Sequence, residues 1–136
     1  MRSELDEALS ANVRKRGYDF SRRSAPKQKR RSTRMIHVIA TITAQPGQRE
    51  AVLALFNKNR PAVLAEEGCI SYEAVIDVPE FGTIQTPLGK DTFAVIERWE
   101  SAEALRAHGA SAHMAEYGHD TRPLLVSRVI NVLQAC

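Results

Sequence analysis

The sequence predicts an α+β domain with the element order β-α-β-β-α-β, occupying residues 35–136 and preceded by a basic arm. Three observations carry that prediction. Charge divides at Met35: residues 1–34 hold 11 of the 19 Lys and Arg but only 4 of the 16 Asp and Glu, so the arm is cationic and the rest mildly acidic. Apolar residues divide the same way, 9 in the first 34 positions against 50 in the last 102, and only the second part can offset its backbone entropy by burial. Within residues 35–136, β-branched runs alternate with stretches of helical period in the stated order.

The first strand starts at Ile36 and runs through His37–Ala44, β-branched and uninterrupted, until the turn signal Gln45-Pro46-Gly47 closes it. Residues Gln48–Glu66 change to helical spacing, with Val52, Leu55, Phe56, Asn59 and Val63 along one stripe. Pro61 removes a hydrogen bond from that helix, so a kink or a restart is expected there. Gly68 ends the helix, and Cys69–Val78 follows as the second strand, with Tyr72, Ala74 and Ile76 on one face and Ser71, Glu73 and Val75 on the other. The loop Pro79–Lys90 is too long for a tight hairpin and is expected to project, covering a pocket or reaching a neighbour. Asp91–Glu100 is the third strand. Ser101 is an N-cap for a short helix over 102–108, with Glu103 in its first turn, and Gly109 stops it. Ser111 caps a second helical piece over 112–118, and Pro123 precedes the last strand, Leu124–Leu133.

In the arm, Leu5, Leu9 and Val13 recur every four residues, enough for a marginal helix, and residues 21–34 read as a charged linker. The arm is expected to be flexible and to bind no specific nucleic acid. The pI near 9.1 averages it with an acidic body and does not mark a nucleic-acid-binding domain.

The predicted order is the ferredoxin-like, split βαβ arrangement, an antiparallel sheet with its helices on one face. The other face stays bare. In a chain this small an uncovered apolar face finds a partner, so a symmetric homodimer is expected, with two sheets packed into a shared α/β barrel.

Several chemistries are disfavoured. No window supplies the ~20 apolar residues of a membrane span, and the basic run ending at Arg34 is not followed by the apolar stretch of an export signal, so a cytoplasmic protein without membrane attachment is expected. Cys69 and Cys136 have no CxxC spacing and read as free thiols. Gly82 and Gly89-Lys90 imitate a phosphate loop, but six residues separate the glycines instead of four, and Asp91 stands where a Ser or Thr is needed. A GxGxxG fingerprint is missing as well. His108, His113 and His119 lack the i, i+4 spacing of a helical zinc site, so no metal is expected, and His119 reads as a surface residue.

His108 is the candidate of interest. It falls at the end of a short helix facing the third strand, on which Glu97 and Trp99 share one side. A carboxylate–imidazole pair beside an aromatic wall can keep the ring near its neutral pKa and let it take a proton from a phenol-like guest. Tyr72 is a candidate wall residue, and the break at Gly109 can turn His113 toward the same pocket. The competing reading makes Trp99 core, Glu97 a salt-bridge partner and His108 a helix cap.

The string Glu97-Arg98-Trp99-Glu100-Ser101, followed by His108-x-x-Ser111-x-His113, resembles the antibiotic biosynthesis monooxygenase family. Gln45-Pro46-Gly47, Arg60-Pro61 and Glu67-Gly68-Cys69-Ile70-Ser71-Tyr72-Glu73 agree with it in the correct order. The resemblance covers residues 35–136 and none of the arm. It implies a dimeric ferredoxin-like barrel and oxygenation of quinols or polycyclic phenols without metal, flavin, haem or any other cofactor, O₂ being the second substrate. On that basis His108 is the expected base, Glu97 orients it, Trp99 stacks on the substrate ring, and Tyr72 and His113 bind the substrate. Haem-degrading members use an Asn, a Trp and a His at positions that are Ala40, His108 and Gly118 here, so that activity is disfavoured. Two alternatives stay open: a non-catalytic small-ligand-binding dimer, and an isomerase of a small signalling sugar.

Overall fold

The computed structural model describes residues 34–136, and the marginal helix expected around Leu5–Val13 lies outside the described residues. The central strand β1 (Ile36–Ala44) alternates strictly, with Ile36, Val38, Ala40, Ile42 and Ala44 buried and the intervening residues more open. That period of two aims one face of the strand at the helices. Helix α1 (Arg49–Leu64) buries Val52, Phe56 and Val63 from the expected stripe. It runs unbroken through Pro61, without the expected restart. Proline is tolerated here because it lies in the last turn, where the Pro61 carbonyl still accepts from the Ala65 N–H at 3.1 Å.

Strand β2 (Cys69–Val75) is three residues shorter than expected, and Ile76 lies past its end, half exposed. After it, Asp77 organises the long loop: its carboxylate oxygens accept the N–H groups of Leu88 at 2.8 Å and Gly89 at 2.9 Å. These bonds hold the Asp77 carboxyl below its ordinary pKa. The loop presents Phe81 and Ile84 to solvent. Strand β3 (Thr92–Trp99) follows. Helix α2 (Ala102–Gly109) is capped by the Ser101 side chain, which accepts from the Ala104 N–H, and α3 (Ala112–Thr121) by Ser111, which accepts from Met114 N–H. Helix α3 runs three residues beyond the expected 118, and a 3₁₀ turn containing Pro123 leads into β4 (Leu125–Leu133).

The strands form one antiparallel sheet in the order β2-β3-β1-β4, the ferredoxin-like arrangement. Register places Val38 opposite Glu97 and Val132, and Ala40 opposite Val95 and Ile130, on the face the helices cover. The core joins β1, β3 and Tyr72 to Phe56 and Val63 of α1, with Leu105 and Met114 packed against it. On the other face Ile39, Val129 and Leu133 remain exposed.

Candidate functional site

Two close approaches bring the second helical region to the end of α1. Gly68 has φ +86, and a Cβ built on it would sit 2.5 Å from the Ala104 Cβ, so only glycine lets α2 pack on this turn. The Gly68 carbonyl also accepts the Glu100 N–H at 2.8 Å, tying the turn to the end of β3. Glu66, in the same turn, thereby faces the end of α2 and the start of α3.

One oxygen of Glu66 serves two imidazoles. Its Oε2 lies 2.9 Å from His108 Nδ1 and 2.6 Å from His113 Nε2. The side chains are 13%, 7% and 29% exposed for Glu66, His108 and His113, so the cluster is largely withdrawn from water. Ser111 supports it from the helix break by donating its hydroxyl proton to the His108 carbonyl at 2.8 Å. With Nδ1 donating to Glu66, Nε2 is the nitrogen His108 has left to accept a proton.

His108 lines a cavity of about 370 Å³ between sheet and helices, within the range of small-molecule sites. Val38, Ala40, Ile42 and Val95 make its apolar floor, Leu105 and Met114 close it from the helices, and Ile130 and Val132 border it along β4. Its polar contributors are Tyr72, Glu97, Tyr117 and Arg128 besides His108. Burial pushes the Tyr117 hydroxyl up to about 12 and the Tyr72 hydroxyl still higher, so both keep their protons as donors at neutral pH. Burial also raises the Glu97 carboxyl, opposed by the indole hydrogen bond and the nearby His108.

The residues singled out from sequence divide between this cavity and its supports. His108, Tyr72 and Glu97 line it. Glu97 is not hydrogen-bonded to the imidazole: its Oε1 accepts the Trp99 indole N–H at 2.9 Å, and the carboxylate holding His108 is Glu66. Trp99 is fully buried and does not line the cavity, and its ring packs on His108 with centroids 4.7 Å apart. It backs the imidazole where stacking on a guest was expected. His113 faces a separate surface depression shared with Lys58, Asn59, Glu116 and Asp120, and meets the site through Glu66 and, at 3.3 Å, the Ser111 hydroxyl. His119 is exposed, as expected.

Glu66 is the residue that sequence reasoning missed. No spacing rule links position 66 to 108 and 113. The available signal was an acid two residues before a glycine at a helix end, and it acquires meaning only when β2 pairs with β3 and draws that turn under α2.

With this geometry in place, comparison with known proteins identifies the fold's relatives. The model of the antibiotic biosynthesis monooxygenase family matches residues 35–119. The chain belongs to that family. It is 38% identical over 102 residues to the probable quinol monooxygenase YgiN of Escherichia coli K12, covering 74% of this chain and 97% of that protein. Among solved structures, PA3566 from Pseudomonas aeruginosa superposes with a TM-score of 0.65 at 27% identity, over 77% of this chain and 97% of that one. Rv0793 from Mycobacterium tuberculosis gives 0.63 at 26% identity, over 75% and 95%. Membership in this family supports a monooxygenase-like function in general. No helix among the described residues is long and apolar enough to cross a membrane.

Proposed function

We propose that the protein oxygenates quinols or closely related phenols, with His108 as the base and Glu66 as the carboxylate that fixes its tautomer. The observation that carries this reading is the single hydrogen-bond assignment of the ring: Nδ1 is held by Glu66 while the ring itself lines an apolar cavity. A quinol hydroxyl gives its proton to Nε2, and the resulting anion is electron-rich enough to pass an electron to O₂. The balanced reaction converts quinol and O₂ to a hydroxyquinone and water, one oxygen atom going to each product. Tyr72, Tyr117 and Arg128 supply donors for the anion, and the apolar floor strengthens each such contact by keeping water out. Accepting the proton creates an imidazolium at the C-terminal end of α2, where the helix dipole and the Glu66 carboxylate both favour it. The family relationship and the similarity to a probable quinol monooxygenase support the substrate class. A second copy packing on the bare sheet face, where Ile39, Val129 and Leu133 are exposed, completes the reading as a homodimer.

Oxygen uptake by the purified chain across a series of benzoquinols and naphthoquinols is the test. The wild type is expected to consume O₂ above the rate of autoxidation and to place label from ¹⁸O₂ in the product. His108→Ala is expected to lower kcat by roughly 10²–10⁴-fold, the usual worth of a positioned base. Uptake indistinguishable from background for every quinol would leave the cavity as a ligand-binding site, and a fully active His108→Ala variant would remove the assigned base.

A further inference from the structure

The Glu66–His108–His113 cluster has the composition of a metal site as well as of a hydrogen-bonded triad. Glu66 Oε2, His108 Nδ1 and His113 Nε2 all lie within 4.8 Å of one another. Two imidazole nitrogens and one carboxylate oxygen are the donor set that zinc takes with a fourth position left for water. Tetrahedral coordination at about 2.0–2.1 Å needs donor atoms roughly 3.3 Å apart. The present 2.9 and 2.6 Å contacts would open by less than about 1 Å, and the two imidazole nitrogens, within 4.8 Å of each other, would close by at most about 1.5 Å, shifts on the scale of side-chain rotation. The three residues also come from three different supports: the turn after α1, the end of α2 and the start of α3. An entrance exists on the His113 side, where the surface depression carries Glu116 and Asp120 against the one cation Lys58. That balance favours an approaching divalent ion.

We propose that this cluster binds a divalent transition-metal ion of the zinc type, and that binding turns off the base in the neighbouring cavity. The second half rests on the assignment of His108 as base; the first does not. A neutral imidazole carries one proton on its two nitrogens. While Nδ1–H donates to Glu66, Nε2 has a free lone pair. Once the ion occupies Nδ1, the proton resides on Nε2, and the ring becomes a donor toward the cavity where the reaction needs an acceptor. Occupancy and proton abstraction are therefore mutually exclusive at the same ring, with no backbone movement required.

The experiment uses the full chain, free of affinity tags and stripped with a chelator. Co²⁺ serves as the probe for coordination, because its visible absorption reports ligand binding without any reference to activity, and Zn²⁺ is titrated in competition. The expected result is one ion per chain with the cobalt spectrum of a four-coordinate nitrogen–oxygen site. Glu66→Gln and His113→Gln are each expected to weaken binding by at least tenfold, while His119→Gln, outside the cluster, leaves it unchanged. Circular dichroism confirms that the variants are folded. The metal site is overturned if no ion binds below about 100 μM, or if neither cluster variant alters the affinity.

Zn²⁺ at saturation is expected to abolish quinol-dependent O₂ uptake of the wild type, and to spare His113→Gln relative to that variant's own zinc-free rate. Undiminished uptake with the site filled overturns the switch. Should the metal-free wild type show no uptake with any quinol, the assigned reaction fails, while the cobalt titration still decides the metal site.

Discussion

Strands β1 and β4 are hydrogen-bonded neighbours of nine residues each and are comparably apolar, yet they end in opposite environments. Val38 of β1 is 2% exposed, and Val132, paired with it, is 57% exposed; Ala40 and its partner Ile130 differ in the same sense, 5% against 49%. Position in the sheet accounts for the contrast. β1 lies between two strands and under the helices, while β4 is an edge strand from which the helical cover has withdrawn. The cavity forms where that cover stops, with β1 as its floor and β4 along its border. Hydrophobic pattern alone therefore marks what can be buried, and topology decides what is.

The sharpest way to break this comparison is to truncate one side chain at each end of the gradient. Trp99→Ala removes a fully buried indole that backs His108 and is expected to cost about 3–5 kcal/mol in urea denaturation. Val132→Ala, at the open border, is expected to cost under about 1 kcal/mol. Equal losses would show that β4 is covered by something outside the chain and that the gradient does not persist in the assembled protein.

A finer comparison uses two glycines with the same sign of φ. Gly47 (φ +78) and Gly68 (φ +86) both occupy a conformation that strains an L-residue, but a Cβ at Gly47 meets nothing within 4 Å, whereas at Gly68 it collides with Ala104. Gly47→Ala is expected to cost on the order of 1 kcal/mol, from backbone strain alone. Gly68→Ala is expected to cost more and also to lower turnover, because α2 must lift and take His108 with it. Identical stabilities and rates for the two variants would show that the approach at Gly68 does not position the site.

The architecture was legible in the sequence because each element has its own local signal. The two serine caps, the Gly109 break and the β-branched run of β1 act within a few residues, and all of them reappear in the structure. The errors in extent arose where tertiary context overrode the local signal. α1 continues through Pro61 because the proline lies in the last turn, and β2 stops at Val75, where its ladder with β3 ends opposite Ala94. The site was legible only in part. His108, Tyr72 and Glu97 do line one cavity, since strand register and helix placement fix their faces. Which carboxylate meets the imidazole was not readable, because Glu66 and Glu97 are both acids near His108 and their separation is set by the turn at Gly68. Trp99 was assigned to the guest from the strand side it shares with Glu97 and from the family resemblance, while its complete burial, the competing reading, goes with its place opposite Ile36 and Cys69 at the end of the sheet.

The smallest expected effect concerns the two carboxylates themselves, one shared by histidines and the other held by an indole. Burial raises the Glu97 carboxyl above its ordinary 4.5, so ionising it is harder in the folded chain than in the unfolded one. Between the ordinary value and the raised one, the folded state holds more protons than the unfolded state, and stability therefore declines as pH rises through that window. Glu97→Gln cannot ionise, and its amide oxygen still accepts the Trp99 indole proton. The variant is expected to be more stable than wild type at pH 7, and the gap is expected to shrink as the pH falls toward 4.5. Thermal melts of the two proteins across that range provide the measurement. A gap that does not change with pH would place the Glu97 carboxylate in contact with water, and a wild type that is more stable at pH 7 would mean that the charged indole hydrogen bond outweighs the cost of burying the charge.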